Sequence, residues 1–457
     1  MNFQFNELMS PDELDNHLQL LKNPETQETE SIYLSKYFRK NPYLDTYNRN
    51  LLDYLQYLLK DSSEYGIKGV NAAARIILSF VTNKDNFINS YINNEFCQLI
   101  WPYMTQSNYV MDIFIEILAY KYSNTKSSIV FNFLIEHDIF NVINHILDPE
   151  SDDLLYIIEL ANVLSIYKFK KSNQLFEMIQ RICQITFTSN NKKVIKYGTI
   201  CLGYYGQYDS DIGQLIISNE LFQSKINEFE QFNGFNEKEI RNYINMIDKI
   251  LQNKEYINDN GILDDPGSKI NSKINMFKRS LLIFIFKIIC SPEFETNFDE
   301  KPFWIISHLF IEEEDVDHCI EIDFVGYMIR MISSEISFDK KVPIFASMMN
   351  LMELSSKNAI QYFIENGFFD ILDENIDQLM NVIPSKVISA LTSIVLYGET
   401  NRECFSWPNL VFNDNVITTA LQKAIDGEYP DDYDHSLPLS LNAIALMARK
   451  NNDPNSE

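Results

Sequence analysis

Two distant stretches of this chain share one helix–corner–helix arrangement. Residues 133–147 read FLIEHDIFNVINHIL, and residues 363–376 read FIENGFFDILDENI. Each has an apolar pair, an acid, two turn-forming positions and then a second apolar helix start. Similar stretches occur at 91–104 and 216–229. A short unit repeated in this way predicts stacked helical hairpins, because one hairpin cannot bury its own apolar face.

The spacing of these copies indicates the repeat length. Successive equivalent isoleucines are 43, 82 and 147 residues apart, which fits one, two and three units plus insertion at a period in the low forties. Armadillo and HEAT arrays have periods of about 40–47 residues. The isoleucines are Ile92, Ile135, Ile217 and Ile364.

A second pattern supports the same architecture. Segments rich in aliphatic and small residues carry apolar positions at three- and four-residue spacings over much of the helix circumference. Such helices are expected between neighbours and not on an outer surface. Glycine is scarce, at 13 residues, which disfavours strand-rich folds. The predicted packed helices cover residues 70–80, 112–120, 154–164, 194–206, 342–354 and 387–398.

The order of small-residue helix, short loop, I-x-N-G-F corner and further helix resembles the armadillo repeat of the importin-alpha type. The resemblance covers residues 68–230 and 340–400 and is weaker over 235–340. It implies an all-α, right-handed α-solenoid of about eight to ten armadillo/HEAT-like units. HEAT-like stacking is the nearest alternative within this fold class.

Composition along the chain predicts its division. The turn-rich, acidic segment 253–275 is interpreted as an insertion in one solenoid, with a linker between two domains as the alternative. The predicted regions are an N-terminal helical cap (1–60), a first half of repeats (61–252), the acidic insertion or linker (253–275), a second half of repeats (276–450) and a disordered tail (451–457).

The resemblance also implies a binding groove lined by the third helix of each unit. Importin-alpha-like proteins hold extended basic peptides there with a ladder of tryptophans and asparagines. None of the equivalent tryptophan positions is Trp here, and of the asparagine positions only Asn162 and Asn350 are Asn. The implied groove positions are Arg75, Ser79, Ile115, Ala119, Ile158, Asn162, Ile200, Tyr204, Ala346, Asn350, Ser389 and Ser393.

Charge constrains the partner. The chain carries 64 acidic and 38 basic residues, a formal net charge of −26. This field repels nucleic acid and anionic membranes and attracts basic partners. A protein partner with an extended, basic segment is therefore expected, and neither nucleic acid, a membrane nor a small-molecule substrate is.

No catalytic or cofactor motif is present, so we expect no enzyme activity, no cofactor and no metal. One segment offers a metal site as an alternative. The segment from His308 to Cys319 brings His308, Glu312 and His318 together with further acids, in a pattern that a divalent metal could use. A solvent-facing acidic loop is the favoured interpretation.

The six cysteines are widely separated and form no C-x-x-C pair. This pattern is typical of buried thiols in a reducing compartment. The first residues, MNFQFNELMSPDEL, do not carry a basic region followed by an apolar run. We therefore expect the cytoplasm, with the nucleus as a further location.

Together these features predict a non-catalytic adaptor that binds an extended, basic partner segment in its groove. A divergent importin-alpha-like nuclear import adaptor and a structural scaffold subunit of a large assembly are the alternatives. All three follow from the fold and the charge, so they stay analogies at this stage.

Overall fold

The computed structural model describes residues 9–41, 55–56, 59, 62–82, 91–119, 124–167, 169–231, 237–251, 278–290, 299–309, 312–353, 357–383 and 386–390. Within these ranges the regular structure is α-helix, apart from a short 3-10 turn at Trp101–Tyr103, and there is no strand. The protein is an all-α helical-repeat solenoid, as the sequence predicts. It divides into two compact units, Met1–Tyr208 and Asp209–Glu457.

In unit 1, helices α2, α3, α5, α8 and α10 form one layer, in which each helix packs on the next. Helices α4, α6, α7 and α9 pack behind this layer. The helices of unit 1 are α1 (Pro11–Leu21), α2 (Gln27–Lys40), α3 (Ser62–Val81, with a kink at Gly66), α4 (Asn94–Ile100), α5 (Asn108–Ala119), α6 (Asn124–Glu136), α7 (Ile139–Ile146), α8 (Leu154–Leu164), α9 (Asn173–Thr188) and α10 (Lys192–Tyr208).

The layer helices are buried on most of their circumference, as their aliphatic patterns predict. In α8, for example, Ile158, Leu160 and Ala161 are fully buried together with their neighbours. Burying one such aliphatic side chain stabilises the fold by about 1.5–3 kcal/mol. Sustained burial in successive helices therefore creates one continuous core that no single hairpin could form.

Hydrogen bonds between layer helices repeat at one sequence separation. The buried Tyr205 hydroxyl donates to the carbonyl of Ala161 at 3.0 Å, 44 residues earlier. The Arg75 guanidinium donates to the Ser31 hydroxyl at 2.9 Å, also 44 residues earlier. This separation matches the period predicted in the low forties. The second bond also places α2 in the same layer as the later repeats.

Unit 2 continues the pattern. Here α13, α15 and α18 pack in sequence, and α12, α14, α16 and α19 form a second series of contacts. The helices of unit 2 are α11 (Ser210–Ile217), α12 (Glu220–Gln231), α13 (Glu237–Leu251), α14 (Lys278–Ile289), α15 (Lys301–His308), α16 (Glu313–Glu321), α17 (Phe324–Ser333), α18 (Phe338–Glu353), α19 (Lys357–Glu365) and α20 (Phe368–Val382). Residues 386–390 are also helical.

The same 44-residue register recurs where α18 meets α15. The buried Ser347 hydroxyl donates to the carbonyl of Phe303 at 2.6 Å. Lys386 Nζ donates to the carbonyl of Ser307 at 2.6 Å. Both side chains bind backbone carbonyls of α15 and so connect this helix to later parts of the chain.

The repeated corner has one backbone geometry at three places. Asp138, Asp323 and Gly367 all adopt left-handed φ values, of 54°, 61° and 72°. Each amide donates to the carbonyl three residues earlier, and each residue directly precedes a helix that begins with two apolar residues. The alignment of Asp138 with Gly367 is therefore confirmed.

Two details of the repeat go beyond what the sequence pattern predicts. The corners after Ile92 and Ile217 do not use the left-handed turn: Asn93 is extended and caps α4 with its side chain, and Ser218 is helical. The region 235–340, where the resemblance is weak, does contain a corner. Its residues IEIDF (320–324) match IEHDI (135–139) and lie 44 residues before the copy at Ile364.

Other predictions have mixed outcomes. Four described cysteines are buried thiols, but Cys290 is exposed because it directly follows the last turn of α14. The acidic segment 253–275 and the tail 451–457 lie outside the described residues. The predicted domain boundaries stay predictions. No helix among the described residues is long and apolar enough to cross a membrane.

Candidate functional site: the exposed face of the first helix layer

The predicted groove positions lie in different environments. Ser79, Ile115, Ile158 and Ala346 are buried, so their side chains offer no surface to a partner. Ala119 is exposed and Ser393 lies outside the described residues. Whether a partner binds along these helices stays a prediction. The half-buried positions are Arg75, Asn162, Ile200, Tyr204, Asn350 and Ser389.

Asn350, predicted to hold the backbone of a partner, binds the backbone of its own chain. Its Nδ2 donates to the carbonyl of Ile306 at 2.7 Å and to that of Leu309 at 2.8 Å. Both carbonyls belong to the C-terminal end of α15. Asn350 therefore connects α18 to α15 through two hydrogen bonds.

Arg75 is also held within the chain. Besides its bond to Ser31, its guanidinium donates to the Tyr109 hydroxyl at 2.6 Å and lies 4.6 Å from the centre of the Tyr109 ring. This contact joins α3 to α5 through a cation–π interaction. The resemblance assigns this position to an aromatic ring that binds a cation. Here the position carries the cation itself, and the aromatic ring comes from Tyr109.

The polar, solvent-facing side of α5 carries two carboxylates that the sequence analysis did not select. Asp112 is half-buried and Glu116 is exposed, while Ile115 between them is buried. On α8, Tyr156 and Glu159 occupy the corresponding solvent-facing side, next to buried Ile158. The sequence does contain a signal for this pair, because two acids four residues apart in an otherwise apolar helix lie on one face.

These side chains interact across the contact between α5 and α8. Burial, followed by the negative charges of Glu159 and Glu116, raises the pKa of Asp112 from its usual range to about 6. Burial and the charge of Glu159 also raise the pKa of Glu116, whereas the charge of Arg39 lowers it. Like charges held together in this way favour a bound cation.

Asn162 lies on the same side of α8, three residues after Glu159. Its Oδ1 atom is buried, and no donor among the described residues reaches it. A buried acceptor without a donor costs free energy. We call the surface formed by Tyr109, Asp112, Glu116, Tyr156, Glu159 and Asn162 the α5–α8 acidic face.

The neighbouring helices change the character of the surface. On α10, Tyr197, Ile200 and Tyr204 are half-buried, and Lys196 lies 5.6 Å from the centre of the Tyr197 ring. On α2, Arg39 is exposed. The acidic face is therefore bordered by a cation on one side and by an aromatic and apolar surface on the other.

The described residues contain no group of three or more His, Cys, Asp or Glu side chains placed to hold a metal ion. In the segment weighed as a metal site, Glu312 and Asp315 form a reciprocal cap at the start of α16, and the Glu312 amide donates to Asp315 at 2.8 Å. The side chain of His308 is outside the described part. Burial raises the pKa of the Cys97 thiol to about 12, so this group is not an activated nucleophile.

Comparison with known proteins identifies the fold and no family. No family model matches the sequence, and no curated protein matches it. A crystal structure of an engineered protein is similar over 95% of this chain and 98% of its own, with a TM-score of 0.64 and 11% identity. A crystal structure of importin beta matches 96% of this chain and 55% of its own, with a TM-score of 0.48 and 13% identity.

Proposed function

We propose that this protein is a non-catalytic interaction adaptor that binds an extended, basic segment of a protein partner on the α5–α8 acidic face. The observation that carries the proposal is the carboxylate cluster on two adjacent layer helices. After burial, the charges of Glu159 and Glu116 raise the pKa of Asp112, and the charge of Glu159 raises the pKa of Glu116. A Lys or Arg side chain placed among them would relieve this repulsion.

Three further features support the proposal. The carboxylate oxygens of Asp112, Glu116 and Glu159 are hydrogen-bond acceptors for the donors of Lys and Arg. The ring of Tyr156 lies near Asp112 and Glu159 and can pack against the aliphatic stem of a Lys or Arg, as the Tyr109 ring already does with Arg75. The net charge of −26 steers basic partners towards the chain at long range.

A binding titration tests the proposal directly. A fluorescently labelled peptide rich in Lys and Arg is titrated with the full chain, and anisotropy is followed at several salt concentrations. The variant D112N/E116Q/E159Q removes three charges from the face. We expect wild-type binding that weakens as salt is added, and at least tenfold weaker binding by the variant at low salt.

The matched control removes three charges from elsewhere in the same unit. Glu136, Glu150 and Glu177 are exposed and lie outside the acidic face. The variant E136Q/E150Q/E177Q has the same net charge as the test variant. It should lose only the part of the affinity that comes from non-specific, long-range attraction. Equal losses in both variants, or no wild-type binding at low salt, would refute the proposal.

A divergent nuclear import adaptor of the importin-alpha type is the narrower form of this proposal. It requires that peptides with nuclear-localisation sequences bind more tightly than peptides of equal charge and scrambled order. A scaffold role without a basic partner would instead leave both peptides unbound. The same titration therefore separates the alternatives. A cytoplasmic or nuclear location is part of the proposal and is tested by imaging of a tagged chain.

A further inference from the structure

Two hydrogen bonds fix how α5 and α8 lie against each other under the α5–α8 acidic face. The Asn108 side-chain amide donates to Asp153 Oδ1 at 2.5 Å. The Tyr167 hydroxyl donates to the carbonyl of Leu118. The first bond lies where both helices begin and the second where both end, so α5 and α8 run side by side in the same direction.

This register brings three carboxylates to neighbouring heights. Measured from the bond at the helix starts, Asp112, Glu159 and Glu116 lie about 6, 9 and 12 Å along the layer, because a helix rises about 1.5 Å per residue. Packed helices have axes about 8–10 Å apart. Glu159 on α8 therefore lies across from the turn of α5 that carries Asp112 and Glu116. Asp112 and Glu159 are half-buried and Glu116 is exposed.

The cations of the neighbouring helices are bound elsewhere. Arg75 on α3 is bonded to Ser31 and Tyr109, and Lys126 on α6 is bonded to the carbonyl of Ile92 at 2.9 Å. Within the described part of the chain, Asp112 forms no ion pair. The other charged or tyrosine side chains described on α5 and on the helices that pack against it are Lys68 and Arg75 on α3, Tyr109 and Glu116 on α5, Lys126 and Glu136 on α6, and Tyr156 and Glu159 on α8.

This environment makes the charge of Asp112 sensitive to weak acid. Burial, followed by the charges of Glu159 and Glu116, raises the pKa of Asp112 from 3.8 to about 6. A base of the partner placed beside Asp112 would favour the ionised form and lower this pKa again. A proton and the partner's base therefore compete for the same carboxylate, and each weakens the binding of the other.

We propose that Asp112 makes the acidic face a pH-dependent site, which holds a basic partner segment at neutral pH and releases it in weak acid. This inference rests on the proposed function and names the regulation of the same site. Protonation of Asp112 removes one of the three negative charges that a partner's base would meet. The described residues of α3, α5, α6 and α8 include no His, so Asp112 is the group of this face that changes charge near pH 6.

A peptide titration at several pH values tests the inference. The peptide is acetylated, rich in Lys and Arg, and free of His, Asp and Glu, so its own charge is constant between pH 5.5 and 7.5. Its dissociation constant for the full chain is measured by anisotropy at constant low salt. Wild type is compared with Asp112→Asn and with Glu177→Gln, which removes an exposed charge outside the acidic face.

We expect the affinity of wild type to fall about fourfold from pH 7.5 to pH 5.5, since the bound peptide keeps ionised a carboxyl group whose pKa is otherwise about 6. Glu177→Gln should show the same fall. Asp112→Asn should bind more weakly than wild type at pH 7.5 and change by less than about twofold over the range. Because Asp112→Asn keeps Glu116 and every histidine, any pH dependence that comes from those groups remains in it.

Calorimetry gives a second measurement that does not depend on the strength of the variant's binding. Peptide binding to wild type at pH 6 is measured in two buffers of different ionisation enthalpy. Release of on the order of half a proton per bound peptide is expected, because about half of the free chains carry the Asp112 proton at this pH. Asp112→Asn should release much less.

The outcomes separate this inference from the proposed function. Binding at pH 7.5 that is unchanged at pH 5.5, with no proton released at pH 6, would overturn the pH-dependent site and leave the proposed function standing. Equal pH dependence in wild type and Asp112→Asn would overturn the assignment to Asp112. No binding of the peptide at any pH would refute the proposed function itself.

Discussion

Replacing Asp112 by Asn should stabilise the protein at neutral pH, although it removes a negative charge from the candidate site. The pKa of Asp112 is raised from 3.8 to about 6, mainly by burial and then by Glu159 and Glu116. The folded state therefore binds a proton more tightly than the unfolded state. This contribution to stability is fully present below the unfolded pKa and is lost as pH rises through about 6.

At pH 7.5 the wild-type protein folds with an ionised, half-buried carboxylate beside two others. Because the group is partly exposed, solvent screening reduces the cost to on the order of 1 kcal/mol. The Asn side chain is neutral at every pH and avoids this cost. In a unit of this size, 1 kcal/mol corresponds to a Tm about 2–4 °C higher.

The assay is thermal unfolding at pH values from 5 to 7.5, with chemical denaturation at both ends. We expect Asp112→Asn to exceed wild type at pH 7.5 and the difference to shrink towards pH 5. Glu177→Gln, which removes an exposed charge from α9, should follow wild type at both ends. A variant that is less stable than wild type at every pH by the same amount would refute the reasoning.

Three further outcomes are expected from denaturant unfolding. Gly367→Ala should lower the free energy of unfolding by about 1 kcal/mol because its φ of 72° is left-handed, whereas Asp138→Gly, at the equivalent corner, should not lower it. Gly198→Ala should cost about 1–3 kcal/mol, since a Cβ atom there would lie 2.0 Å from the Thr186 hydroxyl oxygen, and Thr186→Ala should recover part of the loss in the double variant. Tyr205→Phe should cost about 1 kcal/mol because it removes a buried hydrogen bond between layer helices. Equal stability of Gly367→Ala and wild type, or of Tyr205→Phe and wild type, would contradict the corresponding argument.

The sequence predicted the architecture because burial leaves a periodic record. Apolar residues at three- and four-residue spacings predicted layer helices at 70–80, 112–120, 154–164, 194–206 and 342–354, and each of these ranges lies in or overlaps one helix. The repeated corner predicted the period, which the 44-residue hydrogen bonds of Tyr205 and Ser347 reproduce.

The sequence predicted the candidate site less well than it predicted the fold. The resemblance placed surface positions at Ile115 and Ile158, which are buried. Exposed Glu116 and half-buried Glu159 lie at the next positions of the same helices. Which side of a largely apolar helix faces solvent depends on the rotation of that helix in its layer. That rotation is set by packing against α3 and α10, and a shift of one residue turns the helix by about 100°.

The corner at Asp323 shows a second limit. Its residues fit the repeat, but Asp replaces the glycine that makes a left-handed turn conspicuous in a sequence. Aspartate tolerates this backbone conformation through local hydrogen bonding of its side chain. The corner at Asp138, which the sequence aligns with Gly367, carries the same Asp, so the pattern for this copy was present in the sequence.

Carboxylate footprinting tests the central claim, that the α5–α8 acidic face holds a basic partner segment. The full chain is labelled with a carbodiimide and an amine, with and without saturating basic peptide, and modification of each carboxylate is measured by mass spectrometry. The account predicts that Glu116 and Glu159 are protected by the peptide, while the exposed Glu150 and Glu177 are labelled equally in both samples. Protection at Glu150 and Glu177 with unchanged labelling of Glu116 and Glu159 would contradict it.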